Sequence, residues 1–210
     1  MESKVIQCCQ INLQKSKAAA TELNNRSESI VLITEPCANS KGVNNLNRAH
    51  TQVFSHDSPL PPRAAVRVDK ELFPWMVPEY SDRDMCVVAV NLESKLVYVC
   101  SLYLDILLEV RKRSFLRLID WCDRERIPLI VGTDSNAHSP LWGCPDKNER
   151  GEEMEDILLT QNLTLMNVGQ VSTFFSHIGE SIIDLTIANC YALENLNLEG
   201  WKVETEASFS

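Results

Sequence analysis

Three acidic residues are tied to apolar runs of the chain, and two asparagines accompany them. Glu35 follows Ser29 to Thr34, Asp134 follows Leu129-Ile130-Val131-Gly132-Thr133, and Asp184 interrupts Ile182 to Ala188. A carboxylate inside such a run is costly to bury unless it is paired, hydrogen-bonded or bound to a cation. Asn12 closes the apolar stretch that begins at Val5, and Asn136 lies two residues beyond Asp134. In extended backbone Asp134 and Asn136 leave the same face, one as an anionic acceptor or base and the other as a neutral donor and acceptor. A small set of oxygen ligands of this kind suits magnesium, which keeps several of its positions for water and phosphate. Plainer readings remain open: an Asx-rich turn after a buried strand, or carboxylates paired with buried arginine. Tyr103, which closes VCSLY, is either a core aromatic or a phenol presented at a strand end.

The elements that must position these residues are legible from periodicity. Strands are predicted over Val5 to Leu13, Ser29 to Thr34, Ala64 to Val68, Cys86 to Leu92, Leu96 to Tyr103, Leu129 to Val131, Leu163 to Val168, Ser172 to His177 and Ile182 to Ala188, with one more over Trp201 to Glu206. Helices are predicted over Lys15 to Arg26, Leu107 to Arg126 and Arg150 to Asn162. The second carries Phe115, Leu118, Ile119 and Cys122 as one apolar stripe. Residues 37 to 63 are polar and read as long loop or hairpin. Pro140, Trp142 and Gly143 give a rigid turn with an aromatic anchor. Many strands with few helices point to an α/β class, two packed sheets flanked by helices in a single domain over 1–210.

Composition bounds the function. The 210 residues contain 44% hydrophobic and 23% charged positions, ordinary for a globular protein, and no run approaches a membrane span. Eight cysteines are spread without any C-x-x-C; Cys8, Cys86, Cys100 and Cys122 sit in apolar runs as small hydrophobes do. This usage fits a reducing compartment, cytosol or nucleus. A net charge of −9 argues against a general nucleic-acid coat protein, but not against an enzyme that meets phosphate through a metal and a few local arginines.

Taken in order, the motifs resemble the endonuclease/exonuclease/phosphatase superfamily of DNase I and the apurinic/apyrimidinic endonucleases, and within it the endonuclease domain of non-LTR retrotransposons. Gln10-Ile11-Asn12 matches the opening Q-x-N, and Thr34-Glu35-Pro36 matches Q-E-P except at its first position. Ser101-Leu102-Tyr103 matches S-x-Y. Gly132 to Asn136 matches G-D-x-N with one residue inserted after the glycine, and Asn136 to Gly143 continues as N-A-H-x-x-x-W-G. Thr173 to Ser176 matches T-F-x-S, and Ser181 to Thr186 matches S-x-I-D-L-T.

The resemblance implies a DNase I-like, four-layered α/β sandwich of two mixed sheets and a magnesium-dependent DNA endonuclease, with manganese able to substitute. It implies that Glu35 and Asn12 serve the metal. Asp134 would orient or deprotonate the attacking water, Asn136 position it, Tyr103 donate to a phosphate oxygen, and Asp184 orient a histidine. The product would be a nick whose 3′ hydroxyl primes reverse transcription by a fused reverse transcriptase, in the nucleus after cytoplasmic synthesis. Expected contacts to double-stranded DNA are Ser139, Thr173, Arg63, Arg67, Lys147 and Arg150, with solvated surface as the bland reading of the basic ones. The family's last motif, Ser-Asp-His, is expected to begin at Ser208-Phe209-Ser210, so the chain reads as cut within it and lacking its final strand. Other branches of the superfamily, acting on abasic DNA, RNA or phospholipid, and a fragment that only binds nucleic acid are the competing readings.

Overall fold

The computed structural model describes residues 5–46, 48–176 and 179–204. It divides into two compact units, one ending at Ser101 and the other beginning at Leu102. The first runs β1 (Cys8–Asn12), α1 (Lys17–Leu23), β2 (Ile30–Thr34), a short hairpin of β3 (Ala38–Asn39) and β4 (Gly42–Val43), β5 (Thr51–Phe54), β6 (Ala64–Asp69), β7 (Trp75–Met76), β8 (Met85–Leu92) and β9 (Lys95–Tyr103). The last two residues of β9 belong to the second unit. That unit continues with α2 (Arg113–Glu125), β10 (Leu129–Asp134), α3 (Glu149–Thr160), β11 (Leu163–Leu165), β12 (Phe174–Ser176), β13 (Gly179–Ser181), β14 (Asp184–Asn189) and α4 (Cys190–Asn195). The mixed α/β class expected from the sequence is the class that folds.

In the first unit, β1-β2-β6-β5 form a four-stranded sheet, parallel between β1 and β2 and antiparallel elsewhere. Every residue of β2, IVLIT, is buried, which explains a continuous apolar run where a half-exposed strand would alternate. Helix α1 packs Ala19, Ala20 and Leu23 into one cluster with Val31, Ile33 and Ala65. Its start is fixed by Ser16, whose hydroxyl accepts from the Ala19 amide at 3.2 Å. In the second unit, β14 lies between β10 and β11, antiparallel to both. The stripe on α2 behaves as its spacing requires: Phe115, Leu118, Ile119 and Cys122 are all buried.

Several boundaries differ from expectation. Within 37 to 63 the β3–β4 hairpin fits the loop or hairpin expected, but β5 is a sheet edge with Thr51 and Phe54 buried. Thr51-Gln52-Val53-Phe54 is short and does not alternate, which gives too weak a signal to find. Helix α2 starts at Arg113, well after Leu107, because the Asp105 carboxylate accepts from the Leu107 amide at 2.9 Å and diverts the backbone into an Asx turn. Ile106, Leu107 and Leu108 are consequently exposed. Asp184 opens β14 instead of interrupting a strand. Residues 201–204 carry no strand, and 205 and 206 lie outside the described residues. So do His177 and the Ser208-Phe209-Ser210 end. Cys8 is exposed, whereas Cys86, Cys100 and Cys122 are buried; burial pushes the Cys86 thiol up to about 12. Among the described residues no helix is long and apolar enough to cross a membrane.

Arg67, in the middle of β6, is fully buried, and its Nη1 donates to the Leu23 carbonyl at 2.6 Å. Its Nη2 lies 4.0 Å from Glu28, which also binds Arg26 at 2.7 Å. Burial, helped by the Arg48 charge, lowers the pKa of the guanidinium from its ordinary value. The side chain therefore ties the C-terminal end of α1 to the sheet and is not available to a DNA backbone, which corrects the expected contact. Arg67→Ala is expected to lower stability by roughly 3–5 kcal/mol, and Arg67→Met, which refills the volume, by clearly less. Urea denaturation of both variants checks this.

Candidate active site

Within the first unit, Asn12 and Glu35 stand at neighbouring strand ends. Asn12 closes β1 and is the register partner of Thr34, the residue before Glu35. A tight turn joins the two ends. The Asn12 side-chain oxygen accepts from the Gln14 amide at 2.8 Å, and the Lys15 amide donates to the Glu35 carbonyl at 2.8 Å. Gln14, Lys15 and Glu35 all take left-handed backbone, with φ of 46, 58 and 45°. Such geometry in non-glycine residues costs on the order of 1 kcal/mol or more each, and persists where surrounding contacts impose it. The turn brings the Lys15 ammonium to 3.2 Å from the Glu35 carboxylate. The Glu35 carboxylate, already attracting one cation, and the Asn12 side-chain oxygen at the neighbouring strand end are hard donors of the type magnesium takes. Among the described residues no three His, Cys, Asp or Glu side chains cluster as a cation cage. A divalent ion held here would thus rely on few protein ligands, a coordination that suits magnesium.

Within the second unit, Asp134 ends β10 and Asp184 begins β14, and the two are direct register partners. Asp134 is 3% exposed. Two carboxylates facing one another across an antiparallel pair repel unless cations or donors compensate. The loop after Asp134 is clamped to β14 by Ser135, whose amide and hydroxyl both donate to the Ile183 carbonyl, at 2.9 and 2.7 Å. Asn136 then turns into left-handed backbone with φ of 50°, so the same-face argument made for extended chain does not hold for it. Its side-chain amide donates to the Leu104 carbonyl at 3.1 Å, just beyond Tyr103. Trp142 is buried and donates to the Ala137 carbonyl, closing the turn as its aromatic anchor.

The residue that holds this loop is Arg150, on the first turn of α3. Its Nε and Nη2 donate to the Ser135 carbonyl at 3.2 and 2.9 Å, Nη2 also to Leu104 at 3.1 Å, and Nη1 to Leu108 at 2.7 Å. Burial lowers the pKa of the guanidinium from its ordinary value; Glu153, Asp105, Asp134 and Tyr103 oppose that shift. Asn148 assists at the helix start, its side-chain oxygen accepting from Gly151 and from His138, at 2.8 and 3.0 Å. Helix and loop approach so closely that a Cβ on Gly151 would stand 1.8 Å from the His138 carbonyl oxygen. Sequence reasoning missed Asn148 and Lys15. An asparagine directly before a helical pattern is a recognisable N-cap, but nothing local marks Lys15.

The expected DNA contacts are mostly occupied within the fold. Arg63 makes a bidentate pair with Asp84, at 2.6 and 2.7 Å, while its carbonyl accepts from the Glu35 amide. Ser139 is fully buried; its hydroxyl accepts from the Leu141 amide and donates to Glu155. Lys147 binds Glu155 at 2.7 Å, and hydrogen bonds from Lys147 and Ser139 lower the pKa of that carboxyl. The Thr173 hydroxyl accepts from the Ile183 and Asp184 amides, at 3.2 and 3.1 Å. Ser139 is corrected from contact to buried cap, and Arg150 is a clamp whose donors are spent on carbonyls. Arg150→Ala, which removes these donors and leaves the Leu104 carbonyl only its Asn136 partner, is expected to destabilise by roughly 2–4 kcal/mol. Arg150→Lys should recover only part of this, because an ammonium cannot reproduce the fork; paired urea titrations check both.

The family model described as endonuclease-reverse transcriptase matches residues 97–210, more than half of the chain. The 115 kDa protein of the type-1 retrotransposable element R1DM of Drosophila melanogaster is 28% identical over 197 residues. That alignment takes in 86% of this chain but only 19% of the relative's length. The endonuclease domain of TRAS1, a telomere-specific non-LTR retrotransposon, superposes with a TM-score of 0.77 at 26% identity, covering 97% of this chain and 93% of that domain. The AP endonuclease LMAP from Leishmania major shares the fold, with a TM-score of 0.60 at 10% identity over 88% of this chain and 78% of the enzyme. With this fold, and with the motif residues at the ends of paired strands, the chain belongs to the endonuclease–reverse transcriptase family and is similar to the endonuclease domain of a non-LTR retrotransposon.

Proposed function

We propose that the chain is a magnesium-dependent endonuclease that nicks double-stranded DNA and leaves a 3′ hydroxyl from which reverse transcription is primed. The observation that carries this reading is the placement of Asp134 and Asp184 as register partners at adjoining strand ends, with Asn136 tied beside Tyr103 through the Leu104 carbonyl. Family membership and the likeness to a retrotransposon endonuclease domain support the same chemistry. The family's description, joining endonuclease to reverse transcriptase, supports a parent polypeptide that carries both; as part of this proposal, that polypeptide acts on chromosomal DNA in the nucleus.

Glu35 and Asn12 would hold the magnesium ion, or manganese in its place. When bound, the ion supplies Lewis-acid stabilisation of charge developing on the phosphate and the leaving oxygen. Asp134, desolvated and near the Arg150 charge, acts as the acceptor that orients the attacking water or takes its proton. Asn136 positions that water and a phosphate oxygen through its neutral amide. Tyr103, the last residue of β9, donates its phenolic proton to a phosphate oxygen. Asp184 fixes the orientation of the histidine that the family pattern implies. Thr173 holds the Asp184 backbone by accepting its amide proton.

Supercoiled-plasmid nicking tests the reading, using the chain alone and, beside it, a longer polypeptide to which a Ser-Asp-His segment is appended. Nicking is expected with magnesium, lost with chelator, and reduced on the order of 10²–10⁴-fold by Asp134→Asn. A polymerase should extend the nick directly from its 3′ hydroxyl. Cleavage of RNA or phospholipid with no plasmid nicking would overturn it in favour of another superfamily branch. Lys15 makes a separate expectation. Its exposed pairing with Glu35 is worth about 1 kcal/mol at most, so Lys15→Met should tighten manganese binding by up to about fivefold, read by calorimetry.

A further inference from the structure

Strand β5 is an edge of the four-stranded sheet, and beside it in the first unit opens a cleft of ≈ 860 Å³. Its walls carry Lys41, Arg48 and Lys70, with Gln52, Thr51 and Ser55 among them, and none of its lining residues is acidic. This runs against the composition of the chain, where 29 acidic residues outnumber 20 Lys and Arg. The cations are set by the backbone around them. The Lys41 amide donates to the Asn39 side chain at 2.8 Å, and the Lys70 amide donates to the His50 carbonyl at 2.8 Å. The Arg48 guanidinium donates to the Arg26 carbonyl, and its own carbonyl accepts from the Thr51 hydroxyl. Lys41 and Lys70 are themselves exposed. At Gly42, φ is +112° and no atom lies within 4 Å of where a Cβ would stand, so the hairpin rim leaves the opening clear.

We propose that this cleft grips the phosphate backbone of duplex DNA, outside the residues assigned to cleavage. The proposal rests on the nuclease reading above for its choice of ligand. Cations grouped without a carboxylate, with amide and hydroxyl groups between them, match a polyanion whose charges recur every few ångströms. None of these groups offers a base-specific set, so the grip carries affinity and orientation but no sequence preference. An acidic peptide laid along the β5 edge is the competing occupant.

The test is fluorescence anisotropy of a labelled duplex with the full chain, in calcium and over a range of salt concentrations, beside the plasmid assay. Lys41→Ala/Lys70→Ala is compared with Lys17→Ala, an exposed lysine on α1. The double variant is expected to weaken binding about tenfold at low salt and to reduce the slope of log K against log salt by about two, equally for unrelated duplex sequences. Lys17→Ala should change neither. Equal effects from both variants, or none from the double variant, would overturn the cleft even if the plasmid is nicked. Tight duplex binding lost in the double variant, with no plasmid nicking by this chain or by the longer polypeptide, would sink the nuclease reading and keep the cleft. A parent chain that ignores the duplex sinks the cleft assignment, and so does a double variant whose loss is as large for polyglutamate as for DNA.

Discussion

The second unit depends on one guanidinium. The segments after β9 and after β10 end in carbonyls that have no regular partner, and Arg150 supplies donors to Ser135, Leu104 and Leu108 together. Backbone oxygens left bare in a half-buried setting would each forfeit a hydrogen bond. A planar fork on a helix meets them without asking either loop to become regular. The loops stay irregular, yet their backbone is fastened to α3. The low-dielectric setting that lowers the pKa of Arg150 also brings its charge to bear on Asp134 and Tyr103. Support and electrostatics therefore come from one side chain.

The first unit solves a similar problem by backbone strain. Left-handed residues at Gln14, Lys15 and Glu35 fold the two parallel strand ends against each other. Hydrogen bonds from Leu13 to Thr34, from Lys15 to Glu35 and from Glu35 to Arg63 then hold the fold in place. Arg63 contributes through its carbonyl, while its side chain is locked in the pair with Asp84. In both units, arginines that look from sequence like phosphate ligands prove to be builders of the framework. Lys41 on the hairpin and Lys70 after β6 are instead exposed.

What was legible in the sequence were features encoded by repetition. The buried runs of β2 and β10 and the stripe of Phe115, Leu118, Ile119 and Cys122 each declare themselves over several residues. The motifs mark Glu35 and Asp134 after buried strands, and both stand at strand ends, whereas Asp184, read from the sequence as interrupting a strand, opens β14. Features decided by a single hydrogen bond were not legible. The Asp105 side chain delays α2, left-handed backbone turns Asn136 off the strand, and burial of Arg67 reverses the usual expectation for a charged residue. The inserted residue between Gly132 and Asp134 is absorbed within β10, where Thr133 pairs with Leu185 and is fully buried. Motif spacing alone gave no sign of that.

The pairing of Asp134 with Asp184 also governs which changes of length the chain can accept. Side chains alternate along a strand, so sliding β10 past β14 by one residue would send one carboxylate to the opposite face of the sheet. Sliding by two would restore the face but separate the pair by a full pleat. Insertions and deletions are thus confined to the connecting segments, such as 168–172, where parity has no meaning. Relatives of this chain should differ in length there while keeping the strand pair in phase. The same bookkeeping guides grafting: foreign loops can be exchanged at those points, whereas the strands must be moved as a matched set.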